Sequence, residues 1–274
     1  MNRYYYDLHI HSCLSPCAGN DNTPHNLAGV GKLAGLQLMA LTDHNTCRNC
    51  KAFFDAAAEM GIIPVAGMEL TTAEDIHMVC LFPTLADALA FDEEIAARRV
   101  RIKNRPDIFG EQLLVDAADN ILGFEEHLLS NATTVSLDES VPLAEKYHGV
   151  CYPAHIDREA NGILAVLGIL PDTPQFSCIE LHDGEKEQAL RASMALPQTV
   201  IVSSDAHYLW DVRDKAHTIA LADGDVPTVS IGVQATAALY EAIQADTVPA
   251  AVVVTVAGDA VETPQNVRGP VSYT

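Results

Sequence analysis

Apolar and polar positions alternate from Tyr4 to His11, with Tyr5, Asp7, His9 and His11 on one side and Tyr6, Leu8 and Ile10 on the other. That pattern predicts a first strand. Thr23-Pro24 then reads as an N-cap followed by a first-turn proline, opening a helix that runs to about Ala34 and stops at Gly35. A short apolar strand follows at Leu38–Thr42. Asn49 is placed to cap a helix over Cys50–Met60, closed by Gly61. Ile62–Ala66 and Ile76–Phe82 are the next apolar runs. This βαβ rhythm predicts a mostly parallel sheet.

The rhythm changes between about residues 84 and 149. Ala86–Ile102 is amphipathic, with acids early and Arg98, Arg99 and Arg101 late, in the sense that suits the helix dipole. Leu137–Tyr147 predicts another helix. The stretch is too long for one crossover and is read as a mainly helical insertion or an elaborated pair of crossovers. Strand signals return at Val150–Ala154, Cys178–Leu181, Thr199–Ser203 and Thr218–Leu221, separated by helical patterns near Glu159–Leu167 and Glu185–Met194. Seven or eight strands joined by helices, with no Gly-rich loop after the first, favour a closed βα barrel over an open doubly wound sheet. The barrel is expected over residues 1–222. A C-terminal α/β extension and tail is expected over 223–274, with a helix at Ala235–Ala245 and a strand at Ala250–Val256.

Against this frame the histidines and acids fall in order. His9-Ile10-His11 ends the first strand, Asp43-His44 follows the second, and Glu69 follows the third. His155 ends the strand at Val150–Ala154, and Asp205-Ala206-His207 follows Thr199–Ser203. C-terminal strand ends share one rim of a βα barrel, the rim that carries active sites. His77 stands at a strand start and is the exception. A single histidine is more often a core or surface residue than a ligand, but five segments in barrel order form a joint pattern. His-x-His on an extended chain places two imidazoles on one side. Imidazoles with bridging carboxylates suit zinc, iron or manganese. His182 and Glu180 end the strand at Cys178–Leu181 and are placed to support ligands from behind. His25, His127, His148 and His217 fall outside the pattern.

Composition narrows the classes. Hydrophobic residues make up 49% of the 274 and charged residues 19%, which excludes a disordered chain. Net charge is −21, with no basic stripe, and this argues against duplex nucleic acid as a partner. No apolar run is long enough to span a bilayer, and Met1–Tyr6 leads into the first strand without a secretory pattern, so a cytoplasmic protein without membrane partners is expected. Seven cysteines, an odd number, argue against a disulfide framework. Cys80, Cys151 and Cys178 read as core thiols. Cys13-x3-Cys17 and Cys47-x2-Cys50 flank site segments and offer four thiolates for a separate zinc or iron–sulfur site.

Asp7-Leu8-His9-Ile10-His11-Ser12, Leu41-Thr42-Asp43-His44-Asn45, Gly67-Met68-Glu69, Pro153-Ala154-His155 and Ser204-Asp205-Ala206-His207 resemble, over roughly residues 4–210, the motifs of the PHP family of polymerase and histidinol phosphatase domains. The resemblance implies a distorted (β/α)7 TIM-like barrel with two or three divalent metal ions. His9, His11, Glu69 and Asp205 would hold one; Glu69 would bridge to a second held also by His77 and His155; His44 and His207 would help hold a third. Asp7 and Asp43 would orient histidines. Where the family usually places a further His or Asp, this chain has Ser12 to Asp21, leaving Cys17, Asp21 or neither as that ligand. The expected activity is hydrolysis of a small phosphomonoester by a metal-activated hydroxide. Asp205, His207 and Arg158 are expected to act in turnover, with Arg158 on a phosphoryl oxygen and His207 or a metal-bound water at the leaving group. A phosphodiesterase or exonuclease acting on nucleotides or short oligonucleotides, and a non-catalytic domain, are the rival expectations.

Overall fold

The computed structural model describes residues 2–221, so the C-terminal extension expected over 223–274 lies outside the described residues. β1 (Asn2–Asp7), β2 (Leu38–Leu41) and β3 (Ile63–Thr71) pair in parallel through α1 (Pro24–Leu33) and α2 (Cys50–Met60). Thr23 caps α1, its side chain accepting from the Asn26 amide at 3.2 Å. Gly61 closes α2 in the left-handed region, at φ 68°. Asn49 does not cap α2. Its amide donates to Ser12 Oγ and Leu113 O and its oxygen accepts from Val115 N, tying the helix start to the insertion.

The sheet is mixed, which corrects the mostly parallel expectation. β4 (His77–Phe82) returns from β3 as an antiparallel hairpin, β7 (Val150–Pro153) pairs antiparallel with β4, and β10 (Thr218–Leu221) pairs antiparallel with β1. Together they form a six-stranded sheet in the order β10-β1-β2-β3-β4-β7. β8 (Cys178–Leu181) and β9 (Thr199–Val202) form a separate parallel pair. Single contacts join the two sheets: Ile156 N donates to Glu180 O at 2.9 Å, and Ile10 bridges Ala206. The result is a mixed α/β fold with a curled, half-barrel sheet.

Between β4 and β7 lie α3 (Leu85–Arg98), α4 (Pro106–Phe109), the antiparallel hairpin β5 (Leu113–Val115) with β6 (Ile121–Phe124), and α5 (Leu137–Lys146). The hairpin departs from the mainly helical expectation. Its second strand is largely exposed at Ile121, Leu122 and Phe124, so no buried face imposes the alternation that reveals strands. α3 also stops short of Ile102, because Arg99 turns extended. The helical reading at 159–167 contracts to α6 (Ile163–Leu167), and α7 (Glu187–Ser193) stands between β8 and β9.

The inward faces of the strands fill an apolar interior. Leu8, Ala40, Val65, Val79, Tyr152, Cys178 and Ile201 form one buried cluster, each from a different strand or its end. The outward faces pack under the helices through residues such as Met39, Phe53, Phe82 and Phe91. The inward, apolar plug fills the concave side of the curled sheet below the strand ends that carry the histidines and acids.

Candidate metal centre

Two backbone contacts align the rim. His44, beyond the end of β2, bridges Glu69 within β3, and Ile10, beyond the end of β1, bridges Ala206, each as an isolated parallel pairing. The first sets Asp43-His44 beside Glu69. The second sets His9 and His11 beside Asp205 and His207. The alternation read from sequence slips here, past the end of β1 at Asp7: Leu8 belongs to the interior and Ile10 to the helix-facing layer, and His9 and His11 both meet Glu69.

The inward column of β3 runs Val65, Gly67, Glu69. On β4, Val79 lies opposite Glu69, and His77, opposite Thr71, is its diagonal neighbour. An antiparallel strand begins where its partner ends. His77 therefore reaches the rim from a strand start.

Glu69 is the centre of the constellation and is fully buried. Its Oε1 lies 2.7 Å from His77 Nδ1, 3.1 Å from His155 Nε2 and 3.3 Å from His9 Nε2. Its Oε2 lies 2.9 Å from His44 Nδ1 and 3.3 Å from His11 Nε2. Asp205 Oδ1 stands 3.4 Å from His9 Nε2 and 3.2 Å from His11 Nε2. All eight residues expected as ligands thus meet at one rim. Potential ligand atoms within 4.8 Å of one another come from three groups: His9, His11, Glu69 and Asp205; His44, Glu69 and His77; and His11, His44 and His207. His44 stands in two of them, nearer the second position than the sequence placed it, while His155 approaches Glu69 from the far side.

These atoms fit a cation. Glu69 Oε2, Asp205 Oδ1 and His44 Nδ1 are buried without a hydrogen bond, although each has a partner at ion-pair distance. His9 Nε2 and His11 Nε2 face one another at 3.1 Å. Acceptor lone pairs converging in a buried space are costly unless a positive charge joins them. Imidazole and carboxylate donors suit borderline and hard divalent ions. His155 and Asp205 hold φ of 26° and 52°, in the left-handed region, a conformation that costs on the order of 1–3 kcal/mol at a non-glycine residue.

The charges respond to this crowding. Burial pushes the Glu69 carboxyl up, but the imidazoles of His77, His9 and His44 overcome it and hold it well below the usual range. Burial likewise opposes ionisation of Asp205, and His9 and His11 reverse it, so its carboxyl is also depressed. Asp7 has no such neighbour. Burial raises its carboxyl to about 6, against amide and hydroxyl hydrogen bonds from Ser204 and His9.

The supporting layer differs from expectation. Asp7 accepts from the amides of His9 and Ser204 and touches no imidazole. Asp43 acts one step removed: it accepts from Ser12 and Ser15, and Ser15 Oγ meets His11 Nδ1 at 2.9 Å. Glu180 grips an imidazole directly, with Oε1 2.8 Å from His9 Nδ1 and accepting from the His155 amide at 3.1 Å. Asn45, at φ 51°, ties the rim to the insertion by donating to Leu129 O and Asn131 O. Asn45 closes the Asp43-His44-Asn45 segment and Ser15 lies outside the motif segments, and the sequence pattern assigns neither of them these tasks.

Arg158 donates to Asp205 Oδ2 and stays partly exposed at the rim. His182 is held by Arg213 and joins none of the ligand groups. Cys17 is the exposed cysteine, with Sγ 3.2 Å from His44 Nε2. Burial raises its thiol, but His44 and His207 more than offset this and bring it down to about 5. The four-thiolate site is not assembled. Cys13 lies against Leu113 O, Cys47 and Cys50 lie under Gly67 O, and among the described residues no ligand group includes them. A cavity of about 730 Å³ lies elsewhere, bounded by Val150, Phe176 and Pro197 at strand starts, and shares no residue with the cluster.

The sequence model of the PHP domain family matches residues 7–159. No curated protein matches the chain significantly. Among solved structures, the fold resembles a lesion-specific endonuclease from Pyrococcus furiosus, at TM-score 0.54 and 17% identity, covering 76% of this chain and 49% of that one. It also resembles a structure of Endonuclease Q with a 27-mer duplex substrate carrying an abasic lesion, at TM-score 0.51 and 18% identity, covering 76% and 50%. A protein described as a metal-dependent phosphoesterase, from Bifidobacterium adolescentis, matches at TM-score 0.51 and 18% identity over 74% and 87%. This chain spans about half the length of the endonuclease chains. The exclusion of duplex nucleic acid, drawn from net charge, does not stand, since a chain of similar fold is described with a duplex substrate. Net charge is a sum over the whole surface, whereas a nucleic acid meets one face, where bound cations reverse the local sign. Among the described residues no helix is long and apolar enough to cross a membrane.

Proposed function

The chain belongs to the PHP domain family, a family of metal-dependent hydrolases, and on that premise we propose that it is a phosphoesterase that releases phosphate from a small phosphomonoester. The observation that carries this reading is Glu69, whose two oxygens face separate sets of imidazoles, His9, His77 and His155 on one side and His11 and His44 on the other. A carboxylate so placed is suited to bridge two cations. When bound, paired divalent metals supply Lewis-acid activation of water and of the phosphoryl oxygens.

The chain's own residues would divide the work. His9, His11, Glu69 and Asp205 would hold one ion, and Glu69, His77, His44 and His155 the second. Glu180 fixes the ring of His9 through Nδ1, so that Nε2 faces the cluster. Arg158 would turn from Asp205 to a phosphoryl oxygen; its guanidinium fork matches that geometry. His207 is anchored by Nδ1 to the Asp205 carbonyl at 2.9 Å and also meets the Cys17 thiol, and it would serve the rim either as a ligand or at the leaving oxygen. Cys17 would complete the position shared by His11, His44 and His207, where Asp21 is not brought in. Metal-free protein is then expected to alkylate first at Cys17, and still rapidly near pH 6, because a thiol at about 5 is already thiolate there; metal loading protects it. Mass mapping of the alkylated cysteine checks this, and uniform labelling of the seven would contradict it.

The main test is elemental analysis of protein purified without chelator, together with phosphate release from a panel of monoesters and one diester. Two or three equivalents of zinc, iron or manganese with monoester turnover would support the reading. Metal with diester turnover alone would move the assignment to a phosphodiesterase, the chemistry of the endonuclease that shares the fold. Absence of metal and of turnover would reject it.

A further inference from the structure

Two aromatic rings stand beside the centre and take no part in it. Tyr208 follows His207 directly and Trp210 lies two residues on, so the Trp210 backbone is within about 11 Å of that of His207. The rings are stacked, with centroids 4.8 Å apart and planes inclined by 2°. Tyr208 lies against Gly19, in the loop that carries Cys17: a Cβ at Gly19 would come within 3.2 Å of its ring. The Gly19 amide donates to the His207 carbonyl at 2.9 Å, which joins that loop to the rim. A short 3-10 turn at Leu209–Asp211 fixes the pair, with the Asp211 carboxylate accepting from the Tyr208 amide at 3.1 Å.

Trp210 is the chain's only tryptophan, and the residue is 74% exposed. Tyr208, beneath it, is 40% exposed. Large aromatic residues are normally buried where they pack best, yet this pair presents a flat, preordered surface to solvent at the edge of a phosphate-directed site. A third planar ring extends such a stack. Stacking is also indifferent to the acidic field of the chain, because every base has a neutral π face.

We propose that Trp210, backed by Tyr208, receives the nucleobase of the substrate while its phosphate lies at the histidine–carboxylate cluster, which makes the substrate a nucleotide, free or at the end of a nucleic-acid strand. The position of the phosphate rests on the phosphoesterase reading; the ring platform does not. Arg158 at the cluster and Trp210 beside it then select jointly for phosphate and base.

The test uses the fluorescence of the single tryptophan in the intact, metal-loaded chain. Adenosine and AMP are expected to quench it saturably, and ribose 5-phosphate is not. In Trp210→Leu the kcat/KM ratio of AMP over ribose 5-phosphate is expected to fall roughly 5-fold or more, carried by KM, which is the lower end of what one stacked base contributes. A 5′-phosphorylated oligonucleotide that quenches at lower concentration than AMP would assign the base to a strand, and the reverse order to the free nucleotide. Hydrolysis of ribose 5-phosphate with no quenching by adenosine or AMP, or an unaltered ratio in Trp210→Leu, overturns the platform and leaves the phosphoesterase reading standing. Saturable quenching by adenosine with no ester hydrolysed supports the platform and overturns that reading instead.

Discussion

The same strands build two unlike regions. In their lower inward positions, Val65, Val79, Tyr152, Cys178 and Ile201 form a largely apolar plug. One or two steps further along the same faces, Glu69, His77 and Glu180 are equally buried or nearly so, but polar and crowded. The plug is held mainly by apolar contact. The rim has buried atoms without hydrogen bonds, depressed carboxyls and left-handed residues at His155 and Asp205. Burial by itself therefore does not separate structure from chemistry; what separates them is whether buried polar atoms converge on a shared point.

That contrast can be broken at either end. The largest effect is expected from Asp205→Asn, which should abolish turnover and leave the unfolding transition cooperative. Retained phosphate release would remove Asp205 from the mechanism. Leu81→Ala, in the plug, should instead cost about 2–5 kcal/mol of stability, read from denaturant titration, because it opens a cavity among fully packed neighbours. A loss of metal without a loss of stability would mean that the two regions are not independent. Glu180→Gln is expected to weaken metal binding by about 10–100-fold in chelator competition, since the carboxylate that steers His9 is gone. The smallest effect sharpens the comparison most. Tyr152 carries a hydroxyl that is buried without a hydrogen bond inside the plug, where burial, with Glu180 and Tyr6 nearby, pushes its phenol well up. Tyr152→Phe should be neutral or stabilising by up to about 1 kcal/mol, with metal content unaltered. A clear destabilisation would show that the plug, too, holds a required polar contact.

Much of this was legible in the chain. Thr23-Pro24 and Gly61 mark helix ends through local chemistry, and the structure keeps both. The ordered His, Asp and Glu segments mark the rim because strand ends gather on one side of a curled sheet. Other features were not legible for identifiable reasons. The β5–β6 hairpin lacks a buried face, so periodicity is silent there. Asn49 has the residue type of a cap, yet its backbone is already helical and its side chain is taken by Ser12 and Leu113. Asp43 and Glu180 look alike as carboxylates near strand ends, but only Glu180 touches an imidazole, because β8 stands beside His9 while Ser15 intervenes for Asp43.

The sequence by itself determined the family, the ordered ligand segments and the alternating apolar columns, because these depend on residue type and spacing along one element. Tertiary structure alone decided the direction of β4, and with it the arrival of His77 at the rim from a strand start. It also decided the slip in alternation after Leu8, the meeting of His9 and His11 with Glu69, and the seating of Cys17 beside His44. Each of these depends on where one segment lies relative to another distant in the chain, and short-range periodicity carries no information about that separation.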